Sequence, residues 1–209
     1  MILENIYFII LIILLNVAII YSHKTLIKKF NIYDYPDKKR KFHINKTSLF
    51  GGTIILINIT LFTFFQLVVN YQFFFQTIYL YFFLGSLSFY FLGLIDDKRD
   101  INANLKFLIE IILVSILIFF DNNLLIEKIY FQSFDKIIYL GKYSFLFSIL
   151  SIVIFINALN MFDGINLQVG SYCIIILLTL FYFSNLNLIL FILSISIITF
   201  LLSSIRPKK

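Results

Sequence analysis

The sequence predicts an all-α polytopic membrane protein with about seven transmembrane helices and a small extracytoplasmic β-hairpin. Of its 209 residues, 61% are hydrophobic and 13% are charged, and the mean hydropathy is +0.97. A soluble domain is about half apolar and about a quarter charged. The composition therefore excludes a water-covered exterior, and repeated apolar stretches approach the roughly 20 residues that a helix needs to cross a bilayer.

Seven apolar stretches are assigned as spans, and the hairpin is assigned to the segment 121–142 between the fourth and fifth of them. That segment contains two short runs of apolar, aromatic and β-favouring residues, Leu124–Phe131 and Lys136–Leu140. No linker or repeat divides the sequence, so residues 1–209 are expected to form a single integral membrane domain. The assigned spans are 2–22, 49–69, 73–95, 103–120, 143–162, 167–184 and 186–204.

The distribution of Lys and Arg predicts the orientation of the chain. Fourteen of the 17 basic residues fall in the loops 23–48 and 96–106 and in the tail after residue 205, all on one side of the spans. Short cytoplasmic loops carry this excess of positive charge. We therefore expect the N-terminus outside and the polar loops inside.

Two adjacent carboxylates, Asp96 and Asp97, lie at the inner end of the third span. Ionised neighbours repel each other unless a cation or a shared proton compensates them, and oxygen ligands beside phosphates suit Mg²⁺. Lys106 follows Asp97 by nine residues, which is half a turn out of phase on one continuous helix. A common site thus requires a break in the helix, for which Asn102 and Asn104 are plausible places. The pair alone is equally compatible with an idle, solvated cap.

The inner end of the fifth span carries three polar residues at a spacing of three, Asn157, Asn160 and Asp163. This spacing places them on one slowly rotating helix face, which is costly towards lipid and predicts a cavity or partner helices. Gly164 is suited to a helix-ending turn, and Asn166 to capping the next helix. Interhelical hydrogen bonding is the alternative role for these side chains.

A third passage combines the basic run Lys38–Lys41, which includes Arg40, with His43 and the glycines Gly51 and Gly52 at the start of the second span. Clustered cations beside a membrane attract lipid headgroups or phosphorylated ligands. The same cations are also explained by topology alone, and paired glycines by helix packing.

These passages together resemble a bacterial family of polyprenyl-phosphate N-acetylhexosamine-1-phosphate transferases, glycosyltransferase family 4. The details are most similar to the undecaprenyl-phosphate N-acetylglucosamine-1-phosphate branch, which is related to phospho-N-acetylmuramoyl-pentapeptide transferase. The matching motifs are Asp34-x-Pro36, Arg40-Lys41-x-His43, Gly51-Gly52, Gly93-Leu94-Ile95-Asp96-Asp97, Leu105-Lys106-Phe107 and Asn157-Ala158-Leu159-Asn160-Met161-Phe162-Asp163-Gly164-Ile165-Asn166.

The resemblance implies transfer of a sugar-1-phosphate from a UDP-sugar to undecaprenyl phosphate, with release of UMP and with Mg²⁺, or Mn²⁺ in its place. Such a reaction initiates cell-envelope polysaccharides such as O-antigen. By this resemblance Asp96 and Asp97 are catalytic, and Asp97 and Asp163 are the candidate metal ligands. The implied substrate-binding residues are Asn160, Asp163, Asn166, Lys106, Arg40, His43, Gly51 and Gly52.

Members of the family are expected to continue beyond residue 209 with further spans and a metal-binding Gly-Asp-x-Gly-Ser segment. The sequence therefore resembles a member cut short at its C-terminus. We expect the chain alone to be weakly active or inactive, as a fragment, the product of a frameshift, or half of a protein that another polypeptide completes. A homodimer or a complex with that completing polypeptide is the expected assembly.

Three further alternatives stay open. The first is the pentapeptide transferase reaction, and the second is a non-catalytic membrane partner of a complete enzyme. The third is a transporter, for which Glu110 inside the fourth span is either a proton-path residue or an interhelical hydrogen-bond partner. Nucleic-acid binding has no support, because topology explains the basic residues.

Overall fold

A computed structural model of the protein describes most of the chain, and its helices are α1 (Ile2–Phe30), α2 (Phe50–Val69), α3 (Phe73–Arg99), α4 (Ala103–Phe120), α5 (Ser144–Phe162), α6 (Gln168–Phe183) and α7 (Asn187–Ile205). The strands are β1 (Tyr33–Asp34), β2 (Thr47–Ser48), β3 (Lys128–Phe131) and β4 (Lys136–Tyr139). The described residues are 2–30, 33–34, 47–48, 50–69, 73–99, 101–162, 168–183 and 187–205.

Five helices among the described residues are long and apolar enough to cross a membrane. The two helices nearest the C-terminus are apolar but shorter, at Gln168–Phe183 and Leu188–Ser204. An all-α membrane protein is thus confirmed in outline, while the total of seven spans stays a prediction. The five candidate spans are Asn5–Lys29, Phe50–Val69, Thr77–Arg99, Ala103–Phe120 and Gly141–Phe162.

Two helices continue past the apolar stretches from which they were predicted. α1 was expected to end near residue 22 but runs to Phe30, with Lys28 and Lys29 in its last turn. Cations at that position interact favourably with the negative end of the helix dipole. α3 was expected to end near residue 95 but runs to Arg99. Hydrophobicity marks only the lipid-immersed part of a helix, and the backbone hydrogen bonds continue beyond it.

Contacts divide the chain into two compact units, Met1–Lys98 with Ile165–Lys209, and Arg99–Gly164. In the first unit, α7 packs against α1, α2 and α6. One buried cluster joins α1, α2 and α7 through Phe8, Ile12, Phe62 and Ile192. That the whole chain forms a single domain stays a prediction.

A buried pair of amides also links α1 to α2 within the first unit. Asn16 Nδ2 donates to Asn58 Oδ1 at 2.7 Å, and Asn58 Nδ2 donates to Asn16 Oδ1 at 3.1 Å. Each amide also donates to a carbonyl oxygen one turn earlier in its own helix, of Ile12 and Ile54 respectively. All four amide N–H donors are therefore satisfied, as burial in an apolar interior requires.

The second unit consists of α4, α5 and the segment between them. β3 pairs antiparallel with β4, and Lys128 lies opposite Tyr139. Asp135 forms the turn at φ 47°, a left-handed conformation that Asp adopts more readily than most residues. The backbone N–H of Ile126 donates to Ser148 Oγ of α5 at 2.8 Å and ties this segment to the helix. The strands lie where the sequence predicted a hairpin, and the side of the membrane on which they lie stays a prediction.

Candidate functional site

The carboxylate pair Asp96 and Asp97 lies within the last turn of α3, followed by Lys98 and Arg99. Asp96 is 8% exposed, and Asp97 is partly exposed. Carboxylates near a helix C-terminus face the negative end of the helix dipole, which costs about 0.3–1 kcal/mol each. Helix stability therefore does not explain the pair, and a cation or a phosphate-bearing ligand with its cation would offset this cost.

The helix break that the sequence predicted after the carboxylates is confirmed. α3 ends at Arg99, and α4 begins at Ala103 with Asn102 as its N-cap. The Asn102 side chain accepts a hydrogen bond from the backbone N–H of Asn104 at 3.1 Å, which satisfies a donor that the first helical turn leaves open. Lys106 lies in the first turns of α4, within the second unit, and is partly buried.

The polar end of α5 is described as far as Phe162. Asn160 is exposed in the last turn, and Asn157 is partly buried one turn earlier. Asp163 and Asn166 lie outside the described residues, so their predicted roles in binding and capping stay predictions.

The basic passage is flanked by two short strands, β1 and β2, which pair with each other. β1 and β2 run antiparallel, with Tyr33 opposite Ser48 and Asp34 opposite Thr47. This pairing, which the sequence did not predict, brings the two ends of the passage together directly before α2. Its central residues, Arg40 and His43 among them, lie outside the described residues.

Gly51 and Gly52 lie in the first turn of α2 and face different neighbours. A Cβ added at Gly51 would approach the Phe200 ring of α7 to 2.7 Å, and one added at Gly52 would lie 3.4 Å from the Tyr90 ring of α3. Gly51 therefore permits a close contact between α2 and α7, which is the packing role that the sequence left open. Gly52 lies beside a cleft, where its lack of a side chain leaves space.

This cleft lies between α2 and α3 and has a volume of about 250 Å³. At one end, the hydroxyl groups of Thr53 and Tyr90 form a hydrogen bond of 2.9 Å across the two helices. Tyr90 precedes Asp96 by six residues on α3, which is ~9 Å along the helix axis. An apolar space in the first unit thus starts close to the carboxylate pair. The cleft is lined by Gly52, Ile55, Leu56, Ile59, Ser86 and Tyr90.

One polar contact of the second unit involves a residue to which the sequence assigned two possible roles. Glu110 of α4 is 1% exposed, and its Oε2 accepts a hydrogen bond from Nδ2 of Asn157 on α5. The structure therefore shows the interhelical hydrogen bond, one of the two roles open for Glu110. The sequence signal was a single acid inside an apolar span, but nothing in the sequence identified Asn157 as its partner.

The donor chemistry of the carboxylate pair fits a magnesium ion. Mg²⁺ is commonly bound by one or two carboxylates together with water and substrate phosphates, and Asp96 and Asp97 offer two adjacent carboxylates. In the part of the chain that the structure describes, no group of three or more His, Cys, Asp or Glu side chains is arranged to hold a metal ion. A site built here thus depends on ligands from the substrate or from residues beyond the described part, such as Asp163.

In comparisons with known proteins, residues 79–209 match a family model described as glycosyl transferase family 4. No curated protein and no solved structure matches the chain. The matched region contains the carboxylate pair, Lys106 and the polar end of α5, whereas Gly51 and Gly52 precede it. The family comprises polyprenyl-phosphate sugar-1-phosphate transferases, which supports a general transferase role at a membrane. Because the match covers more than half of its residues, the chain belongs to glycosyl transferase family 4.

Proposed function

We propose that the protein transfers N-acetylglucosamine-1-phosphate from UDP-N-acetylglucosamine to undecaprenyl phosphate and releases UMP. The observation that carries this proposal is the carboxylate pair Asp96 and Asp97, buried or half-buried at the end of α3 and inside the region that matches the family. The reaction would initiate a cell-envelope polysaccharide such as O-antigen. Its site would face the cytoplasm, where nucleotide sugars are available, at the inner surface of the bacterial plasma membrane.

In the proposed reaction, a phosphate oxygen of the lipid attacks the β-phosphorus of the UDP-sugar. A new P–O bond forms, the bond from the β-phosphorus to the oxygen bridging the two phosphates breaks, and UMP leaves with that electron pair. Such transfers depend mainly on positioning and on neutralising charge. A carboxylate of Asp96 or Asp97 would orient the attacking phosphate or accept its proton. The Lys106 ammonium would neutralise phosphate charge, and Asn160 would hydrogen-bond the donor.

Mg²⁺, with Mn²⁺ as its substitute, is the proposed cofactor, held by Asp97 and Asp163, and the neighbouring Asp96 is a further candidate ligand. Bound there, the ion would screen the phosphate charges that otherwise repel the two carboxylates. The basic passage and the glycine after it would lie beside the phosphates, and the polar residues after α5 would line the site for the UDP-sugar. Arg40, His43, Asp163, Asn166 and Gly52 complete the proposed substrate-binding set, whereas Gly51 packs against Phe200.

The cleft between α2 and α3 is consistent with an acceptor that has an isoprenoid tail. Ile55, Leu56 and Ile59 give the cleft an apolar lining, and its Tyr90 end lies ~9 Å along the helix axis from Asp96. A lipid whose phosphate reacts at the carboxylates could extend its first isoprene units into this space. Gly52, which has no side chain, and the small Ser86 leave this space open.

The transporter alternative receives no support from the amides deep in the first unit. Solute paths use polar groups that are available to a ligand, whereas the N–H donors of Asn16 and Asn58 all bond to each other or to their own helices. These side chains instead join α1 to α2. The UMP-release experiment described next distinguishes the proposed reaction from the pentapeptide transferase reaction and from a non-catalytic partner role.

The test is UMP release by membranes that contain the protein, supplied with Mg²⁺, undecaprenyl phosphate and a panel of UDP-N-acetylhexosamines and UDP-N-acetylmuramoyl-pentapeptide. Release with UDP-N-acetylglucosamine that is lost in Asp97→Asn is the expected result. Release only with the pentapeptide donor would replace the proposed substrate. Equal signals from the wild type and Asp97→Asn would refute the catalytic role of this residue.

A further inference from the structure

Glu110 is the most deeply buried ionisable side chain of the second unit among the described residues, and it is absent from the reaction proposed above. It is 1% exposed on α4, a helix whose other charged residue is Lys106. A carboxyl group inside a membrane helix is costly unless a partner satisfies it. The hydrogen bond to Asn157 offsets this cost. It also gives a directional contact between α4 and α5 that an apolar residue at position 110 would not supply.

The partner amide is held at both of its N–H groups. Asn157 Nδ2 donates to Glu110 Oε2 across the helices and to the Val153 carbonyl oxygen of its own helix at 2.9 Å. Neither N–H is left to rotate towards another acceptor. The contact therefore joins one position on α4 to one position on α5, and sliding either helix along its axis would break it.

Two proposed substrate-binding residues lie one turn from this contact and on the same side of it. Lys106 precedes Glu110 by four residues on α4, ~6 Å along the axis, and Asn160 follows Asn157 by three residues on α5, ~4.5 Å along the axis. Glu110 in the first half of α4 contacts Asn157 near the end of α5, while Ile126, in the segment that follows α4, bonds to Ser148 in the first half of α5, so the two helices are antiparallel. Lys106 and Asn160 are consequently at similar levels.

We propose that Glu110 is a positioning residue whose hydrogen bond to Asn157 sets the axial register of α5 on α4, and that this register holds Asn160 level with Lys106 for the nucleotide sugar. The inference rests on the proposed function for its effect on substrate, but the register itself is independent of activity. The ridges and grooves of apolar side chains repeat along a helix, whereas a hydrogen bond between two particular residues forms only within a narrow range of distance and angle.

The experiment compares Glu110→Leu, which removes the acceptor, with Glu110→Gln, whose amide oxygen can accept the same bond. The KM for the UDP-sugar is expected to rise about tenfold in Glu110→Leu, as loss of one such bond allows, and to be restored in Glu110→Gln. Asn58→Leu is the matched control, because it removes an equally buried amide contact from the other unit. It is expected to lower thermal stability without changing this KM.

A second readout tests the register without any catalysis. Lys106→Cys and Asn160→Cys are combined in a Cys173→Ser background, which removes the native cysteine, and are joined by a short bifunctional maleimide. The yield of this cross-link is expected to fall severalfold when Glu110→Leu is added and to recover with Glu110→Gln.

An unchanged cross-link yield in Glu110→Leu would overturn the positioning role, and so would a rise of the KM in Asn58→Leu as large as in Glu110→Leu. If wild-type membranes released no UMP, the proposed function would fail, and the cross-link would still decide whether Glu110 sets the register.

Discussion

Asn16 and Asn58, 42 residues apart in the chain, exchange two hydrogen bonds between α1 and α2, and Asn58 is fully buried. A polar pair at such depth is stable only when every donor has an acceptor, and here each amide also bonds to its own helix. Removing one member leaves the other without its interhelical partner. The pair therefore supplies a specific contact between two helices that are otherwise apolar on nearly all sides.

The first prediction concerns this pair. Asn58→Leu is expected to destabilise the protein by about 1–3 kcal/mol, because Asn16 keeps its bond to Ile12 but loses the partners of its other N–H and of its Oδ1. The double variant Asn16→Leu/Asn58→Leu should lose less than the sum of the two single variants, since it leaves no unpaired amide. Thermal unfolding in detergent measures both effects. Strict additivity would show that the two side chains do not act as a pair.

The second prediction concerns the glycine contact between α2 and α7. Gly51→Ala is expected to lower thermal stability, because its Cβ would lie 2.7 Å from the Phe200 ring. Gly93→Ala is the matched control, since a Cβ there meets no atom within 4 Å and alanine favours a helix by about 1 kcal/mol over glycine. Adding Phe200→Leu should restore much of the loss in Gly51→Ala. Equal stability of the two alanine variants would contradict the contact.

The third prediction concerns the cleft and the lipid acceptor. Ser86 lines the cleft, and Ser88, outside its lining, bonds back to its own helix in the same way, each hydroxyl donating at 2.8 Å to the carbonyl oxygen four residues earlier. Ser86→Leu is expected to raise the KM for the polyprenyl phosphate by about tenfold, with little change for the UDP-sugar. Ser88→Leu is the control. If the two variants behave alike, the cleft does not hold the isoprenoid chain.

The fourth prediction concerns metal dependence. Chelation with EDTA is expected to abolish UMP release, and added Mg²⁺ to restore it. Asp96→Asn removes one of the two adjacent carboxylates and should raise the Mg²⁺ concentration needed for half-maximal release by about tenfold or more. Lys98→Gln, an exposed neighbour on the same helix, serves as a control for surface charge. Release that persists in EDTA would exclude the metal from the reaction.

The fifth prediction concerns pH and the strand pair β3–β4. The Tyr130 hydroxyl donates to Asp135 Oδ1 at 2.7 Å, and this hydrogen bond, with a smaller contribution from burial, raises the pKa of Tyr130 above its ordinary value of 10.0. A raised pKa means that the bond stabilises the strand pair below pH 10 and that its contribution disappears as the pH rises through the higher value. The titration of Tyr130 is obtained by subtracting the phenolate absorbance of Tyr130→Phe from that of the wild type. The same subtraction in the Asp135→Ala background should give a titration at lower pH. An identical titration would refute the contact.

Much of the helical framework follows from hydropathy alone. The stretches 49–69 and 103–120 correspond closely to α2 (Phe50–Val69) and α4 (Ala103–Phe120), since a backbone in lipid must satisfy its own hydrogen bonds and a helix does so within one segment. The break between Asp97 and Lys106 was also predictable, because Asn102 is a good N-cap. The ends of α1 and α3 were not, because polar residues continue these helices beyond the apolar stretches.

The candidate site, like the helical framework, could be predicted from the sequence only in part. Its residue types and their order identify the family, and the match over residues 79–209 agrees with that identification. The partners of individual side chains could not be predicted, as Gly51 against Phe200 and Glu110 with Asn157 show. The roles of Arg40, His43, Asp163 and Asn166 stay predictions, because these residues lie outside the described part of the chain.

The sequence by itself therefore determined that this is a helical membrane protein and where most helices lie, and it named the polar residues that are candidates for the site. Only the tertiary structure decided which helix faces meet. Lipid and protein interior are equally apolar, so hydropathy does not distinguish a helix face in contact with lipid from one in contact with another helix. The contacts that fix which faces meet include hydrogen bonds between helices, such as those of Asn16 with Asn58 and of Glu110 with Asn157. They join residues 42 and 47 positions apart, and they exist only once the helices have packed.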